Sequence, residues 1–93
     1  MKSNLLNNKR GLIVGVANER SLAWGIANSA FNSGGSLAFT YQSDALKKRI
    51  IPLAKKVDSN FTYQFDVQDY KGSPLFFKKL SDNFGKLDFI VHA

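Results

Sequence analysis

The feature that most constrains this chain is an unbroken apolar run, Leu12-Ile13-Val14, that ends at Gly15. A strand that is apolar on both faces is typical of a parallel sheet covered by helices on both sides. Parallel strands need crossover connections, and a helical pattern begins shortly after the glycine, at Ser21. The sequence therefore predicts a β-α-β unit whose first turn lies between residues 15 and 21.

The alternation of apolar runs and helical patterns continues along the chain. It predicts a β-α-β-α-β-α-β order, with strands over residues 10–16, 36–42, 61–67 and 87–92. Ser21 and Ser43 are expected to cap the first two helices, and the third is expected to begin at Asp69 or at Ser73. The predicted fold class is α/β: a Rossmann-like, doubly wound parallel sheet, represented by its N-terminal half only. A last strand that reaches the end of the chain predicts a partial domain over residues 1–93, truncated after the fourth strand.

The first two helical patterns each carry a specific expectation. Apolar residues at helical spacing are expected to form the buried face of the first helix. They are Leu22, Ala23, Ile26, Ala27, Ala30 and Phe31. Gly25 is expected to let this helix pack closely on the first strand. Pro52 is expected to kink the second helix or to divide it in two.

The composition limits the kinds of site that the chain can hold. It has no cysteine and one histidine, which excludes a disulfide framework, a zinc site of thiolates or histidines, and a cysteine nucleophile. The net charge of +6 fits either nucleic-acid binding or a solvated basic surface that attracts an anionic cofactor. The second interpretation is preferred, because the basic residues lie within amphipathic segments without interleaved aromatic residues. No apolar run approaches the ~20 residues that span a bilayer, so no membrane insertion is predicted.

The turn after the first strand has the residue types of a phosphate-binding loop. Gly15 lets the backbone turn sharply and approach a ligand closely, and Ala17 is the next small residue. Ser21 and Leu22 bring N–H groups to a helix start, where unpaired donors and the helix dipole attract phosphate. The spacing is neither Gly-x-Gly-x-x-Gly nor a P-loop. By themselves these residues fit a nucleotide site and an ordinary strand-to-helix turn equally well.

The loop over residues 15–25, Gly15-x5-Ser21-Leu22-Ala23-x-Gly25, resembles the divergent nucleotide loop of the bacterial enoyl-acyl-carrier-protein reductases. These enzymes are NADH-dependent members of the short-chain dehydrogenase/reductase superfamily. Residues 37–42, 66–67 and 85–93 resemble the same family at the family's spacing. The resemblance extends over nearly the whole chain, and it implies an oxidoreductase of fatty acid biosynthesis.

The resemblance also implies a cofactor site of seven residues: Gly15, Ala17, Ser21, Leu22, Gln42, Asp66 and Val67. The first four would line the diphosphate and the adenosine ribose. Gln42 would lie beside the adenosine end, and Asp66 and Val67 would meet the adenine. NADH is the implied cofactor. NADPH is the less favoured alternative, kept because Gln42 carries no charge and Lys47 is near in sequence.

The implied reaction is hydride transfer from NADH to the β-carbon of an enoyl thioester on acyl carrier protein. The family supports it with a Tyr-x6-Lys pair on one helix face, expected downstream of the fourth strand. Tyr41 and Lys48 have this spacing, but they are assigned to a strand and to the helix after it. No catalytic residue is therefore predicted in this chain, and His92, at a strand end, is expected to be structural.

The chain is thus interpreted as the cofactor-binding portion of a cytoplasmic enzyme that is a homotetramer when complete, and as inactive by itself. The alternative is a non-catalytic nucleotide-binding or subunit-pairing module.

Overall fold

The computed structural model describes residues 4–66 and 73–92. The strands and helices along them confirm the predicted β-α-β-α-β-α-β order. They are β1 (Arg10–Val14), α1 (Leu22–Asn32), β2 (Ser36–Tyr41), α2 (Asp44–Lys56), β3 (Thr62–Gln64), α3 (Ser73–Asn83) and β4 (Phe89–His92). Each strand is shorter than predicted, although Phe61, Phe65 and Asp88, just outside β3 and β4, still form backbone hydrogen bonds with the neighbouring strand. Val67, the predicted end of the third strand, lies outside the described residues. None of these helices is long and apolar enough to cross a membrane.

The strands form one parallel sheet in the order β3-β2-β1-β4. Leu12 of β1 pairs with Ala38 of β2 on one side and with Ile90 of β4 on the other. This order, with β1 in the interior, matches the predicted half of a doubly wound sheet. Because the strands are parallel, their carboxyl ends meet along one edge of the sheet, which we call the carboxyl edge.

Helices cover both faces of the sheet. On one face, α1 and α2 bury Ile13 and Phe39 in a first core. On the other face, α3 packs on a second core that contains Leu12 and Ala38. Successive residues of β1 alternate between the two cores, which explains why its apolar run is unbroken.

The buried face of α1 is narrower than predicted. Ala23 and Ala27 are buried as expected, but Leu22 is 72% exposed and Ile26 is 38% exposed. The alanine stripe is buried against the sheet, and Trp24 and Phe31 pack partly buried at the margin of the first core, so Leu22 and Ile26 extend past the area of contact. The prediction that Gly25 allows close packing on β1 is wrong. Gly25 is exposed, and a Cβ there would meet no described atom within 4 Å.

The helix α2 is continuous over Asp44–Lys56, so the prediction that Pro52 divides it is wrong, whereas the alternative, that Pro52 kinks it, stays a prediction. Pro52 is exposed, and the carbonyl that its missing N–H would have bonded belongs to Lys48, which is exposed as well. Water can therefore replace the lost hydrogen bond. The predicted N-cap is confirmed, since the Ser43 hydroxyl accepts a backbone N–H of the first turn at 3.4 Å.

The helix α3 begins at one of its two predicted starts, Ser73, directly before Pro74. The other candidate, Asp69, lies outside the described residues. Phe76 and Leu80 are buried on the second core, whereas Phe77 is 39% exposed.

Candidate functional site

The turn after β1 begins at Gly15, whose φ of 99° lies in a region that residues with a Cβ rarely adopt. The chain therefore leaves the strand sharply, as the sequence predicts. Val16 returns to the first core and is 4% exposed, whereas Gly15 is exposed and Ala17 is half-buried. This arrangement leaves the backbone of residues 15–17 at the carboxyl edge.

Asn18 organises the second half of the loop, a role that sequence analysis missed. Its Oδ1 accepts the backbone N–H of Arg20 at 2.8 Å. Its carbonyl oxygen accepts both the backbone N–H of Ser21 at 3.2 Å and the Ser21 hydroxyl at 2.9 Å. A side chain that bonds the backbone two residues ahead is typical of asparagine in turns, so a search for turn residues could have found it.

Ser21 is the N-cap of α1, as predicted. Its Oγ accepts the backbone N–H of Trp24 at 3.3 Å, while its own hydrogen is donated to Asn18. The N–H groups of Leu22 and Ala23, in the first turn of α1, have no intrahelical partner by position. They are the donors that this helix start can offer to an anion, because the Ser21 hydroxyl is already engaged within the loop.

A cavity of about 250 Å3 opens at the carboxyl edge. Residues in, or directly after, all four strands contribute to its wall, together with a residue of α2. The lining includes Gly15, Ala17, Tyr41, Gln42, Phe65 and His92. Pockets that enclose a drug-sized ligand measure roughly 300–1,000 Å3, so this cavity suits one portion of an extended cofactor rather than the whole of it.

Three of the seven predicted site residues line this cavity: Gly15, Ala17 and Gln42. Ser21 and Leu22 lie outside its lining, at the start of α1. Asp66 is exposed, one residue beyond the cavity-lining Phe65. Val67 lies outside the described residues.

Polar groups lie at the end of β2, where this strand borders the cavity. Gln42 is exposed, and its backbone carbonyl accepts the side-chain amide of Gln64 at 3.5 Å, the outer limit of a hydrogen bond. Tyr41 is buried beside it, with the Lys47 Nζ 6.0 Å from the ring centroid. Lys47 therefore lies near the ring of a cavity-lining residue, although it is not itself among the residues that line the cavity.

Phe65 and His92 complete two sides of the cavity, and sequence analysis assigned neither to a site. Phe65, directly after β3, packs against the second core together with α3 residues and is also among the residues that line the cavity. His92 is exposed, and its structural role stays a prediction. Within residues 4–66 and 73–92, no group of three or more acidic, histidine or cysteine residues could hold a metal ion.

Tyr41 lies in β2 and Lys48 in α2, as the sequence predicts. Their side chains therefore do not share a helix face, although their spacing matches the pattern Tyr-x6-Lys.

Comparison with known proteins identifies relatives of one kind. A family model described as enoyl-(acyl carrier protein) reductase matches residues 15–93. Enoyl-acyl-carrier-protein reductase (NADH) 2 of Rhizobium meliloti is 50% identical over 91 residues, which are 98% of this chain and 34% of that protein.

Two solved structures have the same fold and substantial sequence identity. FabI from Candidatus Liberibacter asiaticus superimposes with a TM-score of 0.91 at 46% identity, covering 97% of this chain and 35% of that one. The enoyl-(acyl-carrier-protein) reductase of Anaplasma phagocytophilum, solved in complex with NAD, gives a TM-score of 0.90 at 43% identity, and the match covers 99% of this chain and 36% of that one. The chain thus spans about a third of the length of these relatives. Because the family model covers most of its residues, the chain belongs to the enoyl-(acyl carrier protein) reductase family.

Proposed function

We propose that residues 1–93 form part of an NAD(P)-binding Rossmann domain, and that they hold the adenosine and diphosphate portions of NADH for an enoyl-acyl-carrier-protein reductase. The observation that carries this proposal is the positive φ of Gly15 at the mouth of a cavity shared with Ala17 and Gln42. In open α/β sheets, ligands bind outside the carboxyl ends of the strands, which is where this cavity lies. NADH, when bound, supplies the hydride that reduces the enoyl double bond.

The loop has the chemistry to hold a diphosphate. The backbone at Gly15 can approach the phosphates without a Cβ in the way. The unpaired N–H groups of Leu22 and Ala23 and the N-terminal end of the α1 dipole favour negative charge. Ser21 acts in this scheme by fixing the loop and the helix start, since its hydroxyl hydrogen is donated to Asn18.

The adenosine end would be held on the β2 and β3 side of the cavity. Gln42 can bond a ribose hydroxyl through its uncharged amide. Asp66 can accept the exocyclic amine of adenine, and the backbone of Val67 can pair with the ring edge. NADPH is the less favoured alternative cofactor, because the ammonium group of Lys47 could neutralise the additional phosphate that NADPH carries.

In this proposal the described residues bind and orient the cofactor, and no catalytic role is assigned to them. The enolate that forms during reduction needs a hydrogen-bond donor. Tyr41 is buried in β2 and Lys48 is exposed on α2, so they do not provide such a pair. We propose that the complete enzyme supplies the donor from another part of its fold, and that the 93-residue chain alone does not turn over enoyl thioesters.

We also propose that the complete enzyme acts on an enoyl thioester of acyl carrier protein, assembles as a homotetramer and works in the cytoplasm. The family resemblance supports all three statements, and the absence of cysteine is compatible with a reducing compartment. Light scattering of the natural protein tests the assembly, and cell fractionation tests the compartment.

The binding proposal is tested by titrating NADH and NADPH into the natural protein and into three variants. Gly15→Val adds a β-branched side chain where φ is positive, and Ser21→Ala removes the hydroxyl that links the loop to α1. Ser81→Ala is the control, because it removes an exposed hydroxyl of α3 at the opposite edge of the sheet. We expect a loss of at least about tenfold in NADH affinity for Gly15→Val, a smaller loss for Ser21→Ala and none for Ser81→Ala. Unchanged affinity in both loop variants would refute the site.

A further inference from the structure

Phe65 occupies a position between the cofactor loop and α3. It follows β3 directly, and its backbone N–H donates to the carbonyl of Tyr41 at 2.9 Å, which fixes it to the end of β2. Phe65 is half-buried and is one of the residues that line the cavity, together with Gly15 and Gln42. The cavity is also lined by apolar residues such as Val14 and Leu46, and Phe65 is the lining residue contributed from directly after β3.

The ring of Phe65 is held in place from behind. It stacks on Phe76 with centroids 4.2 Å apart and an interplanar angle of 10°, and it meets the ring of Phe77 edge-on at 6.2 Å. Phe76 is 8% exposed and belongs to the second core. Because one face of Phe65 is covered by Phe76, the surface that it gives to the cavity is a fixed aromatic one.

We propose that Phe65 is the aromatic contact for the adenine base of the cofactor. This inference rests on the proposed function and adds a residue that selects the purine end of the dinucleotide. A fixed ring offers a flat base a large contact area at little cost in side-chain entropy, because Phe76 already restrains it. The cavity, at about 250 Å3, has room for one ring system of the cofactor rather than for the whole molecule. Asp66, the next residue, is suitably placed in sequence to accept the exocyclic amine of the same base.

The experiment compares Phe65→Leu with Phe77→Leu in the natural protein. Both substitutions remove one ring from the same aromatic layer and keep an apolar side chain, but only Phe65 lines the cavity. The probes are NADH, AMP and reduced nicotinamide mononucleotide, which lacks the adenine. For Phe65→Leu we expect AMP and NADH to bind about 5- to 10-fold more weakly, with reduced nicotinamide mononucleotide changed less than about twofold. For Phe77→Leu we expect no change with any probe.

A second measurement uses the unaltered protein and so does not depend on the stability of the variants. With phenylalanine ring protons labelled selectively, we expect nuclear Overhauser contacts between the H2 or H8 proton of bound AMP and the ring of Phe65. Absence of these contacts with bound AMP would overturn the inference, and so would equal weakening in the two variants. If NADH binds and Phe65→Leu leaves AMP affinity unchanged, this inference fails while the proposed function stands. If NADH does not bind the unaltered protein, the proposed function fails first.

Discussion

Substituting Gly11 tests how β1 and β4 are packed together. Gly11 is a buried residue of β1 and pairs with Phe89 of β4. A Cβ on Gly11 would lie 2.6 Å from Cδ2 of the Phe89 ring and nearer still to Cε2 and Cζ, so Gly11→Ala cannot be accommodated without a shift of that ring. The absence of a side chain at Gly11 is what allows the ring to lie across the strand.

The size of the effect follows from the two ways in which the ring can respond. Keeping the ring in place overpacks the site and costs about 1–3 kcal/mol. Moving it into solvent gives up the burial of a half-buried ring and costs at most about 1.5–3 kcal/mol, the value for a fully buried one. Alanine restricts the unfolded chain more than glycine does, and this effect raises the free energy of unfolding by about 0.4–1 kcal/mol. We therefore expect Gly11→Ala to lower the free energy of unfolding by about 1–2 kcal/mol.

The assay is urea denaturation of the natural protein followed by circular dichroism. Gly25→Ala is the control, because Gly25 is exposed within α1 with open space around it; we expect it to stabilise the protein by about 0.5–1 kcal/mol. Adding Phe89→Leu to Gly11→Ala should cost less than the sum of the two single changes, since the smaller side chain relieves the overlap. A Gly11→Ala protein as stable as the Gly25→Ala protein, or strictly additive changes, would refute this account of the β1–β4 contact.

Three further predictions follow from individual contacts. Asn18→Ala should weaken NADH binding severalfold because the loop loses the side-chain oxygen that accepts the Arg20 N–H, whereas Asn18→Asp should keep this acceptor and the affinity. Calorimetric titration of NADH into both variants measures this, and equal affinities of the two variants would contradict the role of Asn18. Ser59→Ala should cost about 1–3 kcal/mol in urea denaturation, because its buried hydroxyl donates to the Leu37 carbonyl at 2.6 Å and accepts the Phe61 N–H at 3.2 Å. Burial raises the pKa of Tyr63 above its usual value of 10. The contribution of the neutral Tyr63 side chain to the stability of the folded protein should therefore be complete below about pH 10, and it should be lost as the pH rises through the pKa that Tyr63 has in the folded state. Comparing Tyr63→Phe with the unaltered protein by absorbance titration at alkaline pH checks this, and an unraised pKa would contradict it.

The sheet could be predicted from the sequence because its signals are local. The apolar run 12–14 requires two covered faces, and the structure shows that Ile13 and Leu12 enter different cores. The helical caps Ser21 and Ser43 were also predictable, since each depends on residues within the same turn. These features follow from short-range periodicity and hydrogen bonding, which a single sequence contains.

The features that the sequence did not predict depend on neighbours far away in the chain. Helical spacing predicted two adjacent apolar stripes on α1, but it could not decide which stripe faces the sheet. The packed structure shows that Ala27 is covered and that Leu22 is exposed. Pro52 is tolerated because it faces solvent, which is a property of how α2 lies on the sheet. Phe65 could be assigned to the predicted third strand, residues 61–67, but its place among the cavity-lining residues depends on where four strand ends meet.

Hydrogen exchange with and without NADH tests the central proposal, that the carboxyl edge of this sheet binds the cofactor, most directly. In the natural protein, we predict that NADH slows exchange in peptides covering residues 14–24 and 40–46, which contain the loop, the start of α1 and the end of β2. Peptides at the opposite edge of the sheet, such as residues 81–88, should be unaffected. Protection confined to that opposite edge, or binding of NADH without any protection of residues 14–24, would contradict the account.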